Sequence, residues 1–365
     1  LTNSALLLAV IGMLRMLPAL FLGAFSGVLV DRVDKRKILL VTQSISMMLI
    51  LILVVSVTFA SIELWLIAVV SLALCIVGSF DWPARMALMT DIIGREMLFS
   101  GVAIDNLNGY LMWIVGPTLG GWFTGVVGLA GSYLIISIVF GSGALVISKL
   151  QIVKPVRSNQ RAESTIRSIV AGFAYIKGKP TILGVLGISI VMNLFGFPYW
   201  QLLPIFARDI LIVGPEAYGL LTGITGFGAT VAAILIMISG GVKRVEVAFS
   251  LSTVLMALMA MLFSLSRWYP LSLIFRMITG IGMAYFEIGQ HGLPLAHSTN
   301  DMHGRVMAIV NLTIEGVFPI GTLQIGALAT IVGAEHATLL TAGITLILSL
   351  MIIMRVPTLR KTQIE

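Results

Sequence analysis

Charged side chains are scarce in this sequence of 365 residues. Lysine, arginine, aspartate and glutamate together make up 11% of the chain, whereas hydrophobic residues make up 58%. A soluble domain carries roughly 25% charged residues, because its surface must face water. The composition therefore excludes a soluble globular protein and predicts an all-α protein that crosses a membrane many times.

Cysteine is nearly absent, and two common motifs of catalysis are missing. Cys75 is the single cysteine, which excludes an intrachain disulfide and a metal site built from cysteines. The sequence contains neither a P-loop of the Gly-x-x-x-x-Gly-Lys-Ser/Thr type nor the zinc motif His-Glu-x-x-His. His291, His297 and His303 are spaced so that a helix would scatter them around its axis. We therefore expect no cofactor, no metal and no enzymatic activity, with an intramembrane enzyme as the alternative from another class.

Long apolar runs fill most of the chain. A membrane-spanning helix needs about 20 mostly apolar residues. Residues 150–180 form the only long polar interruption, which predicts an N-terminal helical bundle at 1–150, a linker at 151–180 and a C-terminal six-helix bundle at 181–365. The eleven predicted spans are 5–30, 38–58, 63–85, 100–124, 130–149, 181–206, 216–239, 247–266, 270–295, 306–332 and 337–355.

Lysine and arginine are distributed unevenly among the loops. If the loop at 31–37 faces the cytoplasm, 19 of the 23 basic residues lie on that side and two lie on the other. The positive-inside rule then places this loop, the linker and the short C-terminal tail in the cytoplasm of a bacterial-type inner membrane. The same distribution explains the net charge of +7 without nucleic acid. Residue 1 would lie outside, so we expect one further helix upstream and twelve spans in the complete protein.

The linker carries apolar residues at helical spacing after Ser164, which can act as an N-cap. This pattern predicts an amphipathic helix on the cytoplasmic membrane surface, and a disordered linker is the alternative. The apolar residues are Ile166, Ile169, Val170, Phe173 and Ile176.

The loop between the first two runs carries the most specific pattern. An ordinary positive-inside loop would explain its bases, but its two acids oppose that simple role. It reads Gly27-Val-Leu-Val-Asp31-Arg32-Val-Asp34-Lys35-Arg36-Lys37. The string resembles the signature loop of the major facilitator superfamily, Gly-x-Leu-Ala-Asp-Arg-x-Gly-Arg-Arg/Lys, with Asp34 in place of the second glycine. The variant is similar to the branch that contains macrolide-type drug exporters, the enterobactin exporter and lysophospholipid transporters. That resemblance implies a cytoplasmic charge network, including Asp31 and Arg36, that gates the two halves.

A second motif lies at the inner end of the third run. Asp81-Trp-Pro83-Ala-Arg85 resembles the Asp-x-Pro-x-Arg pattern of the same branch. The resemblance implies that Asp81 and Arg85 belong to the charge network at that end.

A third motif lies in the run at 100–124. Gly116-Pro117-Thr-Leu-Gly120-Gly121 resembles the core of the superfamily's antiporter motif, although Met112 stands where that motif has an upstream glycine. Proline removes a backbone hydrogen bond, and glycines let a neighbouring helix approach, so a kinked and tightly packed helix explains the pattern equally.

Six ionisable residues fall inside the apolar runs, where a charge is costly and usually functional. Glu287 and His291 share a helix face, so they could form a proton relay or merely satisfy each other. Arg15 and Glu315 both fall near the midplane, and the resemblance places them on helices that meet between the halves. They could form a pair that protonation breaks, or each could bond separately to its neighbours. The full set is Arg15, Asp105, Arg276, Glu287, His291 and Glu315.

Together these patterns predict a secondary active transporter with the major facilitator fold. The resemblance implies proton-coupled efflux of small amphipathic molecules, such as a drug, a siderophore or a similar metabolite, by alternating access. Its expected partners are a small-molecule substrate, protons and membrane lipids, and we expect a monomer. A lysophospholipid transporter of the same fold is the alternative.

Overall fold

The computed structural model describes residues 33–59, 63–93, 98–150, 172–239, 241–242, 244–299 and 302–360, together with residues 10 and 22. These residues form helices joined by short turns, and no β-strand occurs among them. The prediction of an all-α protein is confirmed. Eight helices of the described part are long and apolar enough to cross a membrane. The predicted span at 5–30 lies outside the described residues, so the number of eleven spans stays a prediction.

The chain folds into two compact units. Of the described residues, those from 33 to 112 and from 119 to 150 belong to the first unit, and residues 113–118 and those from 172 onward belong to the second. The described part of the first unit contains three helices: α1, Lys35–Thr58; α2, Leu64–Ile93; and most of α3, Leu98–Lys149.

Helix α3 contains the two predicted spans 100–124 and 130–149, separated by a non-helical residue. Gly128 has a φ of 74° and a ψ of −179°, a conformation that glycine adopts without steric cost. The hydroxyls of Thr124 and Ser132 lie 3.0 Å apart, although eight residues of straight helix would separate them by about 12 Å. The chain therefore turns back on itself at Gly128.

The second unit contains α4, Pro180–Val191; α5, Pro215–Ile238; α6, Val245–Leu265; α7, Tyr269–Ala296; and α8, His303–Arg355. Helix α8 also covers two predicted spans, 306–332 and 337–355, and its non-helical residue is Gly333, with a φ of 81° and a ψ of 161°. The ends of α5 and α7 lie within one residue of the predicted spans 216–239 and 270–295.

The segment that follows α4 is irregular. A π-helical turn at Met192–Gly196, a 3-10 turn at Pro198–Leu202 and a second π-helical turn at Phe206–Ile210 replace regular helix. Because proline has no backbone N–H, Pro198 cannot continue the regular hydrogen-bond ladder. Helix α8 packs directly on this segment: a Cβ at Gly321 would lie 2.6 Å from the carbonyl oxygens of Asn193 and Leu194. The irregular segment is therefore held in place by backbone contact.

Two elements at the ends of the second unit pack against its helices. In the described part of the linker, 172–176 is helical, and Ile176 is buried against Val306 and Ile309 of α8. After α8, the 3-10 turn Pro357–Leu359 folds back onto the helices, and the Ser250 hydroxyl donates to the Leu359 carbonyl at 2.9 Å.

Candidate functional site

The start of α1 is fastened to the end of α3 within the first unit. The Asp34 carboxylate caps α1 by accepting from the backbone N–H of Arg36 at 3.0 Å. The Arg36 guanidinium donates from Nε to the carbonyl of Ile147 at 3.1 Å and from Nη2 to that of Ser148. The last carbonyls of a helix lack partners and carry partial negative charge, so a cation there is stabilising. Lys35 begins α1, whereas Gly27, Asp31 and Arg32 lie outside the described residues.

The Asp81 carboxylate joins α2 to α1. Its Oδ1 atom accepts from the Thr42 hydroxyl at 2.6 Å and from the Gln43 amide at 3.0 Å. Arg85 is exposed one turn further along α2. Thr42 and Gln43 were not predicted as partners of Asp81. They are adjacent polar residues inside the apolar run at 38–58, and that position could have identified them.

Two glycines of the α3 motif face open space among the described residues, although the neighbouring Thr118 lies against Gly223 of α5. A Cβ placed at Gly116 or Gly120 would meet no described atom within 4 Å. Pro117 lies inside α3 and Gly121 is buried. Close helix approach at Gly116 and Gly120 is therefore not observed between described residues.

Three of the six ionisable residues predicted inside spans have described side chains. Glu287 is partly buried on α7, and His291 is exposed with its Nδ1 atom 3.1 Å from the Glu287 backbone carbonyl oxygen. The third is Arg276. Arg15 and the side chains of Asp105 and Glu315 lie outside the described part of the structure, as does the predicted pairing of Arg15 with Glu315.

Arg276 lies on α7 with only 3% of its surface exposed. Its Nη1 atom donates to the Tyr199 hydroxyl at 2.8 Å. Its guanidinium carbon is 5.6 Å from the centre of the Tyr199 ring and 5.7 Å from that of the Trp200 ring, within the range of cation–π attraction. Both aromatic residues come from the irregular segment after α4, so that segment builds the surroundings of the guanidinium.

A cavity lies beside these aromatic residues in the second unit. It is small, with room for about one water molecule, and Tyr199, Trp200 and Thr279 contribute to its wall. Apolar residues, including Met192 and Met256, form most of the remainder. The cavity is therefore a small, mainly apolar space beside the aromatic residues that contact Arg276.

A second buried ionisable group was missed by our sequence analysis. Glu246, in the first turn of α6, is fully buried, and neither oxygen of its carboxylate has a hydrogen-bond partner among the described residues. Glu246 directly precedes the apolar run at 247–266, and this position next to a predicted span could have predicted that it is buried. The described residues contain no group of three or more histidine, cysteine, aspartate or glutamate side chains that could hold a metal ion.

Comparison with protein families places this arrangement in context. A family model described as transmembrane secretion effector matches residues 1–365. The chain belongs to the transmembrane secretion effector family. The prediction of a major facilitator transporter is therefore confirmed, and this family member is a multi-pass membrane transporter of the exporter type rather than an enzyme.

Two known proteins illustrate the relatives of this secretion effector. A protein of Bacillus amyloliquefaciens to which bacilysin export is ascribed is 27% identical over 345 residues, which cover 91% of this chain and 82% of the relative. Macrolide efflux protein A of Streptococcus pyogenes is 22% identical over 362 residues, which cover 96% of this chain and 87% of the relative. Our sequence-based assignment to the branch that contains macrolide-type exporters agrees with this second relative.

A solved structure shows the same fold. A crystal structure of a mutant of the nucleoside transporter NupG matches 96% of this secretion effector and 91% of the NupG chain, with a TM-score of 0.75 and 13% sequence identity. The likeness confirms the predicted major facilitator fold.

Proposed function

We propose that this protein exports small amphipathic molecules, such as a drug, a siderophore or a similar metabolite, from the bacterial cytoplasm in exchange for protons. The match of residues 1–365 to a family of secretion effectors carries the proposal, because it supports outward transport. The names of the relatives, which refer to bacilysin and to macrolides, support small molecules as the class of substrate.

Transport would follow alternating access, in which helical bundles move as rigid bodies around the substrate. The contacts within the first unit suit such motion. Arg36 joins α1 to α3, and Asp81 joins α1 to α2, so three helices are tied together near one end of the unit. The basic loop at 31–37 supports a cytoplasmic location for that end.

Exchange for protons requires a carboxyl group that gains and loses a proton during each cycle. Glu287 is one candidate, because it is partly buried on α7 and one turn from His291. Asp105 and Glu315, inside predicted spans, remain candidates, since an acid inside the membrane usually has a function.

The test begins with a susceptibility screen in a bacterium that lacks its own efflux pumps. Expression of the protein should raise resistance to some small amphipathic compounds. The purified protein should then accumulate such a compound in proteoliposomes with an acidic lumen, and a protonophore should stop the accumulation. Asp31→Asn should insert normally but lose most transport, whereas Asp34→Asn should retain more of it.

Two results would contradict this proposal. Accumulation that continues after the pH gradient is collapsed would rule out proton exchange. Movement of a fluorescent lysophospholipid, without accumulation of any compound from the screen, would favour the lipid-transporter alternative.

A further inference from the structure

The 3-10 turn Pro357–Leu359, which we call the strap, covers the end of the second unit where α6 begins. The Leu359 side chain is fully buried and belongs to one apolar cluster with Phe249 of α6 and Val185 of α4. A Cβ at Gly184 of α4 would lie 2.9 Å from the Leu359 side chain. A single apolar side chain therefore anchors the strap against two helices.

Two hydrogen bonds add to this anchor, and one of them can be exchanged for another. The Thr181 hydroxyl of α4 donates to the Thr358 hydroxyl oxygen at 2.9 Å. The Ser250 hydroxyl lies 2.9 Å from the Leu359 carbonyl oxygen and 3.0 Å from the Glu246 carbonyl oxygen of its own helix. A serine hydroxyl has one O–H, so it donates fully to only one of these acceptors. When the strap leaves, Ser250 therefore keeps an acceptor within α6.

Polar side chains without partners lie at this same end of the unit. Glu246, one turn from Ser250, is fully buried, and neither of its carboxylate oxygens has a hydrogen-bond partner among the described residues. The Nε2 atom of Gln290 on α7 is also buried without a described partner. Gln290 shares a helix face with Phe286 and Leu293, which belong to the cluster of Leu359. Burying such groups without hydrogen bonds is costly, and far more so for an ionised carboxylate. The closed strap therefore keeps unsatisfied polar atoms away from water.

We infer that the strap opens and closes in the folded protein, and that the buried carboxyl group of Glu246 favours the open state. Closing removes the apolar Leu359 side chain from water, which is favourable. Opening lets water reach Glu246, which relieves the cost of its burial. These two side chains set the balance, and Glu246 meets water only while the strap is open. The inference goes beyond export and does not depend on it.

Cysteine labelling of the full-length protein in nanodiscs measures how often the strap opens. Cys75→Ala removes the single native cysteine, and Leu359→Cys then places a thiol where a water-soluble maleimide reacts only after local opening. Ala260→Cys, made separately, places a buried thiol on α6 away from the strap, and it reports unfolding of the unit. Each rate is divided by the rate of the same thiol in denaturing detergent. Glu246→Gln tests the acid, and Glu216→Gln is the matched control, because Glu216 is an exposed acid in the first turn of α5.

The strap thiol at 359 should react at least about tenfold faster than the core thiol at 260, because opening the strap does not require unfolding. Glu246→Gln should slow labelling at 359 by about tenfold or more, since an amide is buried at lower cost than a charge. Glu216→Gln should leave that rate unchanged.

Two results would overturn the inference. Equal normalised rates at 359 and 260 would show that the strap opens only when the unit unfolds. An unchanged rate at 359 in Glu246→Gln would show that the acid does not favour opening. If Glu246→Gln fails to fold, Thr181→Val decides: labelling at 359 should become about threefold faster or more, because the strap loses a hydrogen bond, and an unchanged rate would contradict the inference. No transport is measured, so these outcomes are independent of the proposed function.

Discussion

The crossing of α5 and α7 offers a sharp test of the structure, because two glycines bring the helix backbones into contact. A Cβ at Gly280 of α7 would overlap the carbonyl oxygen of Thr225 and lie 2.8 Å from its carbonyl carbon. A Cβ at Gly228 of α5 would in turn overlap the carbonyl oxygen of Met277. Small residues permit such close approach of helices in membranes. Gly280→Ala should therefore force the two helices apart.

The change in stability of Gly280→Ala follows from two opposing free energies, the cost of overpacking and the higher helix propensity of alanine. Ordinary contact begins at 3.4 Å, so the Thr225 carbonyl carbon would have to retreat by about 0.6 Å, and the carbonyl oxygen, which lies closer, would have to move further. Overpacking costs roughly 1–3 kcal/mol, and the upper part of that range, about 2–3 kcal/mol, applies here because the overlapped atoms belong to the backbone. Alanine favours a helix over glycine by about 1 kcal/mol. We expect a net destabilisation of roughly 1–2 kcal/mol, which corresponds to a fall in melting temperature of roughly 2–8 °C.

Gly292 provides the matched control on the same helix. A Cβ there would meet no described atom within 4 Å, so Gly292→Ala should leave the melting temperature unchanged or raise it. The measurement is thermal unfolding of the purified variants in one detergent, followed by intrinsic fluorescence. If Gly280→Ala melts at or above the wild-type temperature, while Gly292→Ala behaves as expected, the close crossing of α5 and α7 is wrong.

Three further substitutions test other contacts by thermal unfolding. Arg36→Gln should destabilise the protein by about 1 kcal/mol through loss of the carbonyl contacts on α3. Lys37→Gln, at the neighbouring exposed position, should have little effect. Equal shifts in melting temperature for the two variants would show that Arg36 does not fasten α1 to α3. Asp81→Ala should destabilise the protein by about 1–3 kcal/mol, because the two donors on α1 lose their acceptor, whereas Asp81→Asn should retain most of the stability. If Asp81→Asn is destabilised as much as Asp81→Ala, the negative charge itself is required. Glu246→Gln should raise the melting temperature, because an unpartnered buried carboxylate costs more than the roughly 0.3–1 kcal/mol that it gains at a helix N-terminus. The exposed Glu216, also in the first turn of a helix, is the control. A lower melting temperature for Glu246→Gln would contradict the buried environment described for this residue.

The helices of this protein were predictable because the bilayer imposes a minimum length on apolar runs. The predicted gaps at 125–129 and 333–336 contain the two non-helical glycines, Gly128 and Gly333. Most of the irregular segment at 192–210 was predicted as regular helix, because the predicted span 181–206 includes residues 192–206. Gly196, Pro198 and Pro204 were local signals for its turns, but membrane helices also tolerate these residues.

The surroundings of the candidate site could not be predicted to the same extent. Arg276 was identified from its charge inside an apolar run, which is a local property of the sequence. Its contact with Tyr199 joins residues 77 positions apart, and such pairings depend on tertiary packing rather than on periodicity. Glu246 lies just before the predicted span 247–266 and was not singled out from the sequence, and only the packed structure shows that it is buried.

The position of Arg276 depends on the same glycine contacts that stabilise the second unit. Gly280 lies one turn beyond Arg276 on α7, so the crossing with α5 fixes the depth and rotation of the helix that carries the guanidinium. Gly321 of α8 fixes the irregular segment that carries Tyr199. A buried charge without a partner lowers stability, and proteins tolerate such groups mainly at functional sites. Backbone packing on both sides of the Arg276 and Tyr199 pair can offset that loss.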